Sequence, residues 1–289
     1  MFSIFILTHN EESNIAACIQ SALWSDDIVV IDSFSDDKTA AIAQKFPVRF
    51  IQHAFESHGK QRSWMLHHVP TKYDWVYLLE ADERMTPKLF QECVQQSQQA
   101  DFVGYYVAER VMFMNRWIRH STQYPRYQMR FFQKGQVDFT DYGHTEREVC
   151  YGNTSFLTET YPHYTCNKGF SRWVEKHNRY STDEAKETLH QLENKTVNWR
   201  QLFWGKTEVE RRRALKDLSL RLPFRPLIRF VYMYFVLGGC WDGKAGFTWC
   251  VLQAFYEYLI LLKVWEIQQN KAISDEIDCL LNQLDFCRF

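Results

Sequence analysis

The chain has 289 residues, and its 34 basic side chains nearly balance its 35 acidic ones. This length suits one large domain or one domain with an appendage, and the balanced charge argues against a general attraction to nucleic acid. Hydrophobic residues make up 46% of the chain, which is enough to bury an ordinary core.

The eight cysteines form no Cys-x-x-Cys pair. This pattern argues against structural zinc and against a disulfide framework, and it fits a reducing cytosol. Met1 leads straight into a predicted strand, without a basic region or a cleavage site, so we expect no signal peptide.

Short apolar runs alternate with helical patterns over the first hundred residues. The runs predict strands over residues 2–7, 28–31, 48–51 and 76–79. The intervening patterns predict helices over residues 14–23, 39–45 and 60–68. This alternation is typical of a parallel sheet flanked by helices, which is the α/β class. Ligands of such sheets bind at the carboxyl ends of the strands, where this chain has its polar clusters.

The fourth predicted strand ends in the acidic run Glu80-Ala81-Asp82-Glu83. Glu80 and Asp82 are two residues apart, so at a strand end both side chains leave the same face. A divalent cation removes the repulsion between such carboxylates, and Mg²⁺ or Mn²⁺ prefers oxygen ligands combined with phosphates. The plain structural alternative is a strand followed by solvated acids.

Two common nucleotide-binding motifs are missing from the sequence. No Gly-x-Gly-x-x-Gly follows the first strand, and no Gly-x-x-x-x-Gly-Lys-Ser/Thr occurs, which argues against a dinucleotide dehydrogenase and a P-loop NTPase. Asp32, at the tip of the second strand, can accept hydrogen bonds from a ribose or a pyrimidine. Alternatively, it is an N-cap or Asx-turn residue.

Four motifs, in order, resemble the N-terminal half of family 2 glycosyltransferases with the GT-A fold. They are Thr8-His9-Asn10-Glu11-Glu12, the segment 30–39, Gly59-Lys60-Gln61-Arg62 and Glu80-Ala81-Asp82-Glu83-Arg84. The chain is most similar to bacterial enzymes of the lipopolysaccharide core β-glucosyltransferase and exopolysaccharide glycosyltransferase group. The resemblance covers most of the chain. It implies a Rossmann-like, mostly parallel sheet flanked by helices, with a C-terminal helical, membrane-interfacial extension.

The resemblance also implies roles for the motif residues. Binding of the nucleotide-sugar is expected from Thr8, Asn10, Glu11, Asp32, Lys60, Arg62, Glu80 and Arg130. Asp32 is expected to contact the uracil, and Asp82 to bind Mg²⁺ or Mn²⁺ at the end of the DxD motif. The first Asp of that motif is Glu80 here, one methylene longer, which puts its ribose or metal contact in doubt. We expect Glu83 to turn away towards the loop.

The pattern of residues 103–108 predicts an edge strand. Further resemblances to the family follow it. The segment 124–132 resembles a family segment whose arginine lies near the donor. Arg130 is therefore expected to neutralise the leaving diphosphate, unless it is a surface arginine on a strand. Tyr161-Pro162-His163-Tyr164 resembles a family His-Tyr element, so His163 either completes the metal shell or touches diphosphate, or is a satisfied core histidine.

The segment from Gly143 to Glu148 resembles an element at the place where inverting members carry their catalytic base. An inverting transfer needs one carboxylate that takes the proton from the acceptor hydroxyl. Glu148 matches the final Glu of the element and is the first candidate for this base. Glu146 occupies a Gln position of the element and is the second candidate. The alternative is a solvated, charged loop.

We predict a catalytic domain over residues 1–195 and a basic, aromatic helical region over residues 196–289. The segment from Arg200 to Arg229 contains nine basic and three acidic residues. The apolar segments 223–237 and 247–265 are too short or too charged for clean transmembrane helices. Basic residues beside amphipathic helices indicate an anchor on anionic lipid. The alternative is a helical subdomain packed on the catalytic core.

Together these patterns predict an inverting, metal-dependent hexosyltransferase with a UDP-sugar donor and a lipid-linked, lipopolysaccharide or exopolysaccharide acceptor. We expect it in the cytoplasm, peripheral on the inner face of the inner membrane, and without nucleic acid. One alternative is a polyprenyl-phosphate sugar transferase of the same fold, whose ionised acceptor needs no protein base. Another is a non-catalytic scaffold that binds nucleotide sugar, which Glu80 in place of Asp favours.

Overall fold

The computed structural model describes residues 1–99, 101–142, 145–194, 218, 221–222 and 224–286, with the backbone alone at 142, 145 and 274–286. The chain divides into two compact units, Met1–Asn167 and Lys168–Phe289. The predicted domain boundary after residue 195 stays a prediction, since residues 195–217 lie outside the described ones.

The first unit is built on β-strands. They are β1 Ser3–Thr8, β2 Ile28–Asp32, β3 Arg49–Gln52, β4 Trp75–Glu80, β5 Gly104–Phe113, β6 Arg116–Trp117, β7 Arg126–Gln133, β8 Val137–Tyr142, β9 Thr145–Cys150 and β10 Thr154–Tyr164. Eight of them form one sheet in the order β10-β5-β7-β4-β1-β2-β3, with β6 paired to β5, whereas β8 and β9 form a separate hairpin. Strand β7 is antiparallel to both its neighbours, β4 and β5, while β1 to β4 pair in parallel. This confirms the predicted α/β class.

Helices cover both faces of this sheet. They are α1 Ile15–Ala22, α2 Thr39–Ala43, α3 His58–His68 and α4 Pro87–Gln96. Ile6 and Leu79 pack on the face that α1 and α4 cover, while Phe5 and Leu78 pack on the face that α3 and the β8–β9 hairpin cover. The central strands are apolar on both faces because both faces are covered.

The registers bring several strand ends to one edge of the sheet. Thr8 pairs with Asp32 between β1 and β2, and Leu7 pairs with Glu80 between β1 and β4. Strand β5 was predicted to be an edge strand, which is wrong. It lies between β7 and β10 because β10, which the sequence did not reveal, adds to it in parallel.

Helix α3 lies very close to the β8–β9 hairpin. A Cβ atom at Gly59 would lie 2.6 Å from the backbone nitrogen of Asp141, so a larger residue does not fit there without a shift. The Asp141 carboxylate accepts hydrogen bonds from the Gly59 N–H at 3.0 Å and the Ser57 hydroxyl at 2.8 Å. A carboxylate is favoured at a helix N-terminus. These contacts fix the hairpin against the helix.

The second unit is helical. Its elements are α5 Phe170–Asn194, α6 Arg225–Val231, a π-helical turn Tyr232–Val236, a 3₁₀ turn Gly239–Asp242 and α7 Gly243–Phe286. Ala185 of α5 packs against Ile260 and Val264 of α7. Arg225 of α6 pairs with Glu257 of α7 at 2.7 Å. Helix α7 therefore packs against both of the other helices.

Both α6 and α7 expose apolar stripes. The stripe on α7 follows a spacing of three or four residues and comprises Phe247, Val251, Phe255, Tyr258, Leu262 and Trp265. The stripe from α6 through the π-helical turn comprises Phe224, Leu227, Ile228, Val231, Tyr232, Phe235 and Val236.

One helical segment in the described part of the chain, Gly239–Ile273, is long and apolar enough to cross a membrane by length and composition, since it contains an 18-residue window with a mean hydropathy of 1.3. By these two criteria the prediction of no clean transmembrane helix was wrong. The helix extends beyond the predicted segment 247–265, and Glu257, which counted against it, is paired with Arg225.

Candidate functional site

A buried network of arginines and glutamates lies at the carboxyl end of β4. Arg130 Nη2 lies 2.5 Å from Glu83 Oε1 and 3.0 Å from Glu80 Oε1. Arg62 Nη2 lies 2.7 Å from the same Glu80 oxygen, and Arg62 Nη1 pairs with Glu146. Arg62, Arg130 and Glu83 are buried, whereas 35% of the Glu80 side chain is exposed. Three carboxylates thus share two guanidinium groups.

The sharing sets the charge state of the network. Burial raises the pKa of Glu83 to about 8, since it outweighs the lowering effect of the Arg130 charge and is reinforced by the charge of Glu80. Burial also acts to raise the pKa of Glu80, but Arg130 and Arg62 outweigh it and hold that pKa well below its usual range. The expectation that Glu83 turns towards the loop was wrong, because its side chain is fully buried against Arg130.

A second cluster contains Asp82 and His163. Asp82 Oδ2 lies 3.2 Å from His163 Nε2, and His163 Nδ1 lies 3.2 Å from Glu109 Oε2. Burial acts to lower the pKa of His163, but hydrogen bonds to the two carboxylates outweigh it and raise this pKa well above 6.5. The His163 side chain is 24% exposed, so it is not an enclosed core histidine. Glu109 is buried and also pairs with Arg126 at 2.5 Å.

Asp82 and His163 are the two donors that fit a divalent ion. In the part of the chain that the structure describes, no three His, Cys, Asp or Glu side chains form a complete metal site. One carboxylate oxygen and one imidazole nitrogen suit an ion whose other ligands come from a diphosphate and water. The imidazole has to be neutral to bind it, so proton and ion compete for Nε2. Glu80 is bonded to both arginines and is the less suitable ligand.

The loops after β1 and β2 are joined by hydrogen bonds. The Asn10 N–H donates to Ser35 Oγ at 2.8 Å, and Asn10 Oδ1 accepts from the Asp36 N–H at 2.9 Å. The Glu11 N–H donates to Thr39 Oγ1 at 2.7 Å. Asn10 and Glu11, both predicted to border the nucleotide, therefore hold the two loops together at the carboxyl edge of the sheet.

Thr8 and Asp32 lie at neighbouring strand ends but differ in their hydrogen bonding. Asp32 is fully buried and accepts hydrogen bonds from the Ser35 N–H and Gln52 Nε2, each at 3.0 Å. This geometry supports the turn role for Asp32, and its contact with uracil stays a prediction. Thr8 Oγ1 is buried with no partner among the described residues, which costs about 1–3 kcal/mol unless a ligand supplies one.

The basic residues predicted to bind the donor divide into two groups. Arg62 and Arg130 belong to the buried network, so the alternative of a surface position for Arg130 was wrong. Lys60 is an exposed residue of α3 that pairs with Glu56 at 2.8 Å, and the structure does not bring it into the network.

The two candidate bases lie on one face of β9. Glu146 pairs with Arg62, while Glu148 Oε1 accepts a hydrogen bond of 2.7 Å from the Tyr106 hydroxyl. A solvated loop is therefore the wrong description of both. Gly143 and His144, from the same predicted element, lie outside the described residues.

The sequence did not indicate Glu109 and Tyr106 of β5 as site residues, and it gave Tyr161 of β10 no role of its own. Tyr161 Oη accepts a weak hydrogen bond from Arg130 Nε at 3.4 Å. A glutamate in an apolar strand such as β5 could have indicated a site residue, because a buried carboxylate needs a cationic partner.

A model of the family described as "Glycosyl transferase family 2" matches residues 3–150, just over half of the chain. The lipopolysaccharide core biosynthesis glycosyltransferase LpsC of Rhizobium meliloti is 28% identical over 96% of this chain and 97% of its own length. An uncharacterized glycosyltransferase of Rickettsia conorii is 24% identical over 91% of this chain and 89% of its own.

The solved structures that match include the following two. S. aureus TarS is 13% identical with a TM-score of 0.37, covering 86% of this chain and 54% of its own. Glucosyl-3-phosphoglycerate synthase from Mycobacterium tuberculosis, in complex with Mn²⁺, uridine diphosphate and phosphoglyceric acid, is 20% identical with a TM-score of 0.32, covering 38% of this chain and 43% of its own. At these scores neither structure adds to what the sheet itself shows.

The buried network gives a stability prediction. Above pH 8, where Glu83 is ionised, substituting Arg130→Met leaves the Glu83 carboxylate buried without its cation, and we expect a loss of about 3–5 kcal/mol in the free energy of unfolding. The double substitution Arg130→Met and Glu83→Leu restores most of this loss, because no charge is then stranded beside Met. Urea unfolding measures both variants. Lys60→Met, in the exposed pair, is the control and changes stability by less than about 0.5 kcal/mol. A double variant no more stable than Arg130→Met would contradict the prediction.

Proposed function

The chain belongs to glycosyl transferase family 2 and is a glycosyltransferase, and we propose that it transfers a hexose, with inversion, from a UDP-sugar to a lipopolysaccharide or other lipid-linked saccharide. The observation that carries this proposal is the Asp82–His163 pair next to the Glu80–Arg62 pair at the carboxyl edge of the sheet. The acceptor class is supported by LpsC, which aligns over 97% of its length and is named for lipopolysaccharide core biosynthesis.

The donor would lie across the strand ends. The unpaired Thr8 hydroxyl and the joined loops after β1 and β2 would hold the nucleoside. Arg62 is kept in one orientation by Glu80 and Glu146, and its guanidinium would compensate charge on a departing diphosphate that displaces one of these carboxylates.

Asp82 and His163 would hold Mg²⁺ or Mn²⁺, which when bound neutralises negative charge on the diphosphate. The buried network keeps Asp82 in position through the turn on which it lies. The Glu80 N–H donates to Glu83 Oε2 at 2.9 Å, and the Glu83 N–H donates to the Glu80 carbonyl at 2.8 Å. Since Arg130 holds both glutamates, the turn that presents Asp82 is fixed before any ligand binds.

Glu148 would take the proton from the acceptor hydroxyl as that oxygen attacks the anomeric carbon. The Tyr106 hydroxyl orients its carboxylate through Oε1, and the other oxygen can accept the acceptor's proton. Glu146 is the second candidate, because its carboxylate is occupied by the pairing with Arg62.

The second unit would attach the enzyme to an anionic membrane on its cytoplasmic side. The exposed stripe of α7 offers Phe255 and Trp265 to lipid. Helix α5 packs along α7 and exposes Asp183, Glu184 and Lys186. A spanning α7 would carry these charges into hydrocarbon, which is costly, so we propose that α7 lies in the interface. Six of the nine basic residues between Arg200 and Arg229 lie outside the described residues.

The metal role of Asp82 is tested by titrating UDP with and without Mn²⁺ in a calorimeter. We expect Mn²⁺ to raise UDP affinity in the native protein and Asp82→Asn to lose at least about tenfold of that affinity, since a ligand oxygen is gone. Asp74→Asn, an exposed carboxyl at the opposite end of β4, serves as control. The same Mn²⁺ dependence in Asp82→Asn would exclude Asp82 as a ligand.

The catalytic base is tested by UDP release across a panel of UDP-sugars, with lipopolysaccharide core oligosaccharide as acceptor. We expect Glu148→Gln to lower kcat by about 10²- to 10⁴-fold, because an amide cannot accept the proton. Glu146→Gln is the matched comparison two residues away on the same face of β9. Full activity in both variants would support an acceptor that is already ionised, such as a polyprenyl phosphate. Tight UDP binding without transfer from any donor would support the alternative of a non-catalytic scaffold that binds nucleotide sugar.

Membrane attachment is tested by flotation with phosphatidylcholine vesicles that contain or lack phosphatidylglycerol. We expect Phe255→Ser and Trp265→Ser each to weaken binding roughly tenfold, because each removes a large apolar side chain from the interface. Gln269→Ser, also exposed on α7, is the control. Unchanged flotation of both apolar variants would exclude this stripe as the anchor.

A further inference from the structure

A cluster of three aromatic rings, two of them exposed, lies beside Glu148. The Tyr106 and Phe156 rings stack with centroids 5.3 Å apart, and the Tyr127 ring meets Phe156 edge-on at 4.7 Å. Phe156 is 59% exposed and Tyr127 is 41% exposed. We refer to Tyr106, Tyr127 and Phe156 as the aromatic patch. Exposed apolar clusters of this kind often mark binding sites.

The sheet register explains why these rings share one face. Tyr106 of β5 pairs with Phe156 of β10, and Tyr127 of β7 pairs with Ala108, two residues beyond Tyr106. Side chains two residues apart in a strand point to the same face. Tyr106 packs on the core that includes Phe139 of the β8–β9 hairpin, so the aromatic patch lies on the hairpin side of the sheet.

The aromatic patch is continuous with the proposed site for the diphosphate. The Tyr106 hydroxyl bonds Glu148, and Glu146 lies two residues earlier on the same face of β9, a separation of about 7 Å. Glu146 in turn pairs with Arg62, which bonds Glu80 at the strand ends. Along this path the Tyr106 ring is followed by the carboxylates of Glu148 and Glu146 and then by the guanidinium of Arg62.

We propose that the aromatic patch binds a sugar ring of the acceptor and presents its hydroxyl to Glu148. This assignment rests on the proposed glycosyl transfer. A pyranose has apolar C–H faces and polar edges, so flat aromatic rings receive the face while a carboxylate and a phenol receive the edge. A purely apolar partner would bury Glu148 with one oxygen unsatisfied, which is costly. The occupant must therefore offer hydroxyl groups together with an apolar face, as a saccharide does.

The test measures binding without turnover. Lipopolysaccharide core oligosaccharide, freed from lipid by mild acid, is added to the full chain with UDP and Mn²⁺, and saturation-transfer NMR gives its Kd. We expect Tyr127→Ala and Phe156→Ala each to weaken binding roughly 3- to 10-fold, from the loss of one stacked ring. Phe156→Tyr keeps the ring and retains affinity. Tyr151→Ala removes an exposed tyrosine outside the patch and is the control.

No saturation transfer to the native protein, or equal affinities in the native protein and the alanine variants, would overturn the assignment. A parallel loss of UDP affinity in the alanine variants would also overturn it, because the substitutions would then act on the whole domain. Failure of the proposed function is a separate result. In that case no UDP-sugar gives transfer, while oligosaccharide binding still depends on Tyr127 and Phe156.

Discussion

The pairing of Arg130 with Glu83 and Glu80 is the interaction on which the site depends. A buried carboxylate is stable only beside a cation or as the neutral acid, and Glu83 has no exposed surface. Arg130 reaches it because β7 enters the sheet antiparallel, between β4 and β5, so the start of β7 lies at the carboxyl ends of its neighbours. The turn after β4 is fixed by this contact, and Asp82 lies on that turn. Arg62 is then placed by Glu80, and Glu146 by Arg62.

This arrangement determines what the proposed donor would meet. Three glutamates share two arginines, so this buried network itself holds no surplus positive charge for a diphosphate. An anion that contacted the network would therefore take Arg62 from a carboxylate partner or arrive with a cation. Asp82 and His163, which lie outside the arginine network, are the pair left for that cation. The proposed divalent ion would supply the positive charge that the network lacks, which adds to the indication from the acidic motif.

The sequence predicted the parallel part of the fold because each of its strands is a short apolar run followed by polar residues. The family resemblance, which rested on four motifs in order, is confirmed by the match over residues 3–150. The contacts of Glu83, Arg130 and Glu109 were not predictable in this way. Each depends on a pairing between distant strands: β4 with β7 for the first two, and β5 with β10 for Glu109 and His163. A local sequence pattern does not show which residues of distant strands pair with each other. The sequence therefore predicted Glu83 as a loop residue and β5 as an edge strand.

The hairpin shows how two glutamates of one motif acquire different roles. Glu146 and Glu148 are equivalent in spacing and in strand face, and their neighbours distinguish them. The guanidinium of Arg62 pairs with Glu146, whereas the phenol of Tyr106 donates a hydrogen bond to Glu148 without supplying a full charge. The close packing at Gly59 fixes the hairpin against α3, so neither glutamate can take the other's partner without a shift of β9. In the proposed reaction Glu148, beside the aromatic patch, is therefore the carboxylate that is free to accept a proton. Glu146 instead pairs with Arg62, the residue that would contact the diphosphate.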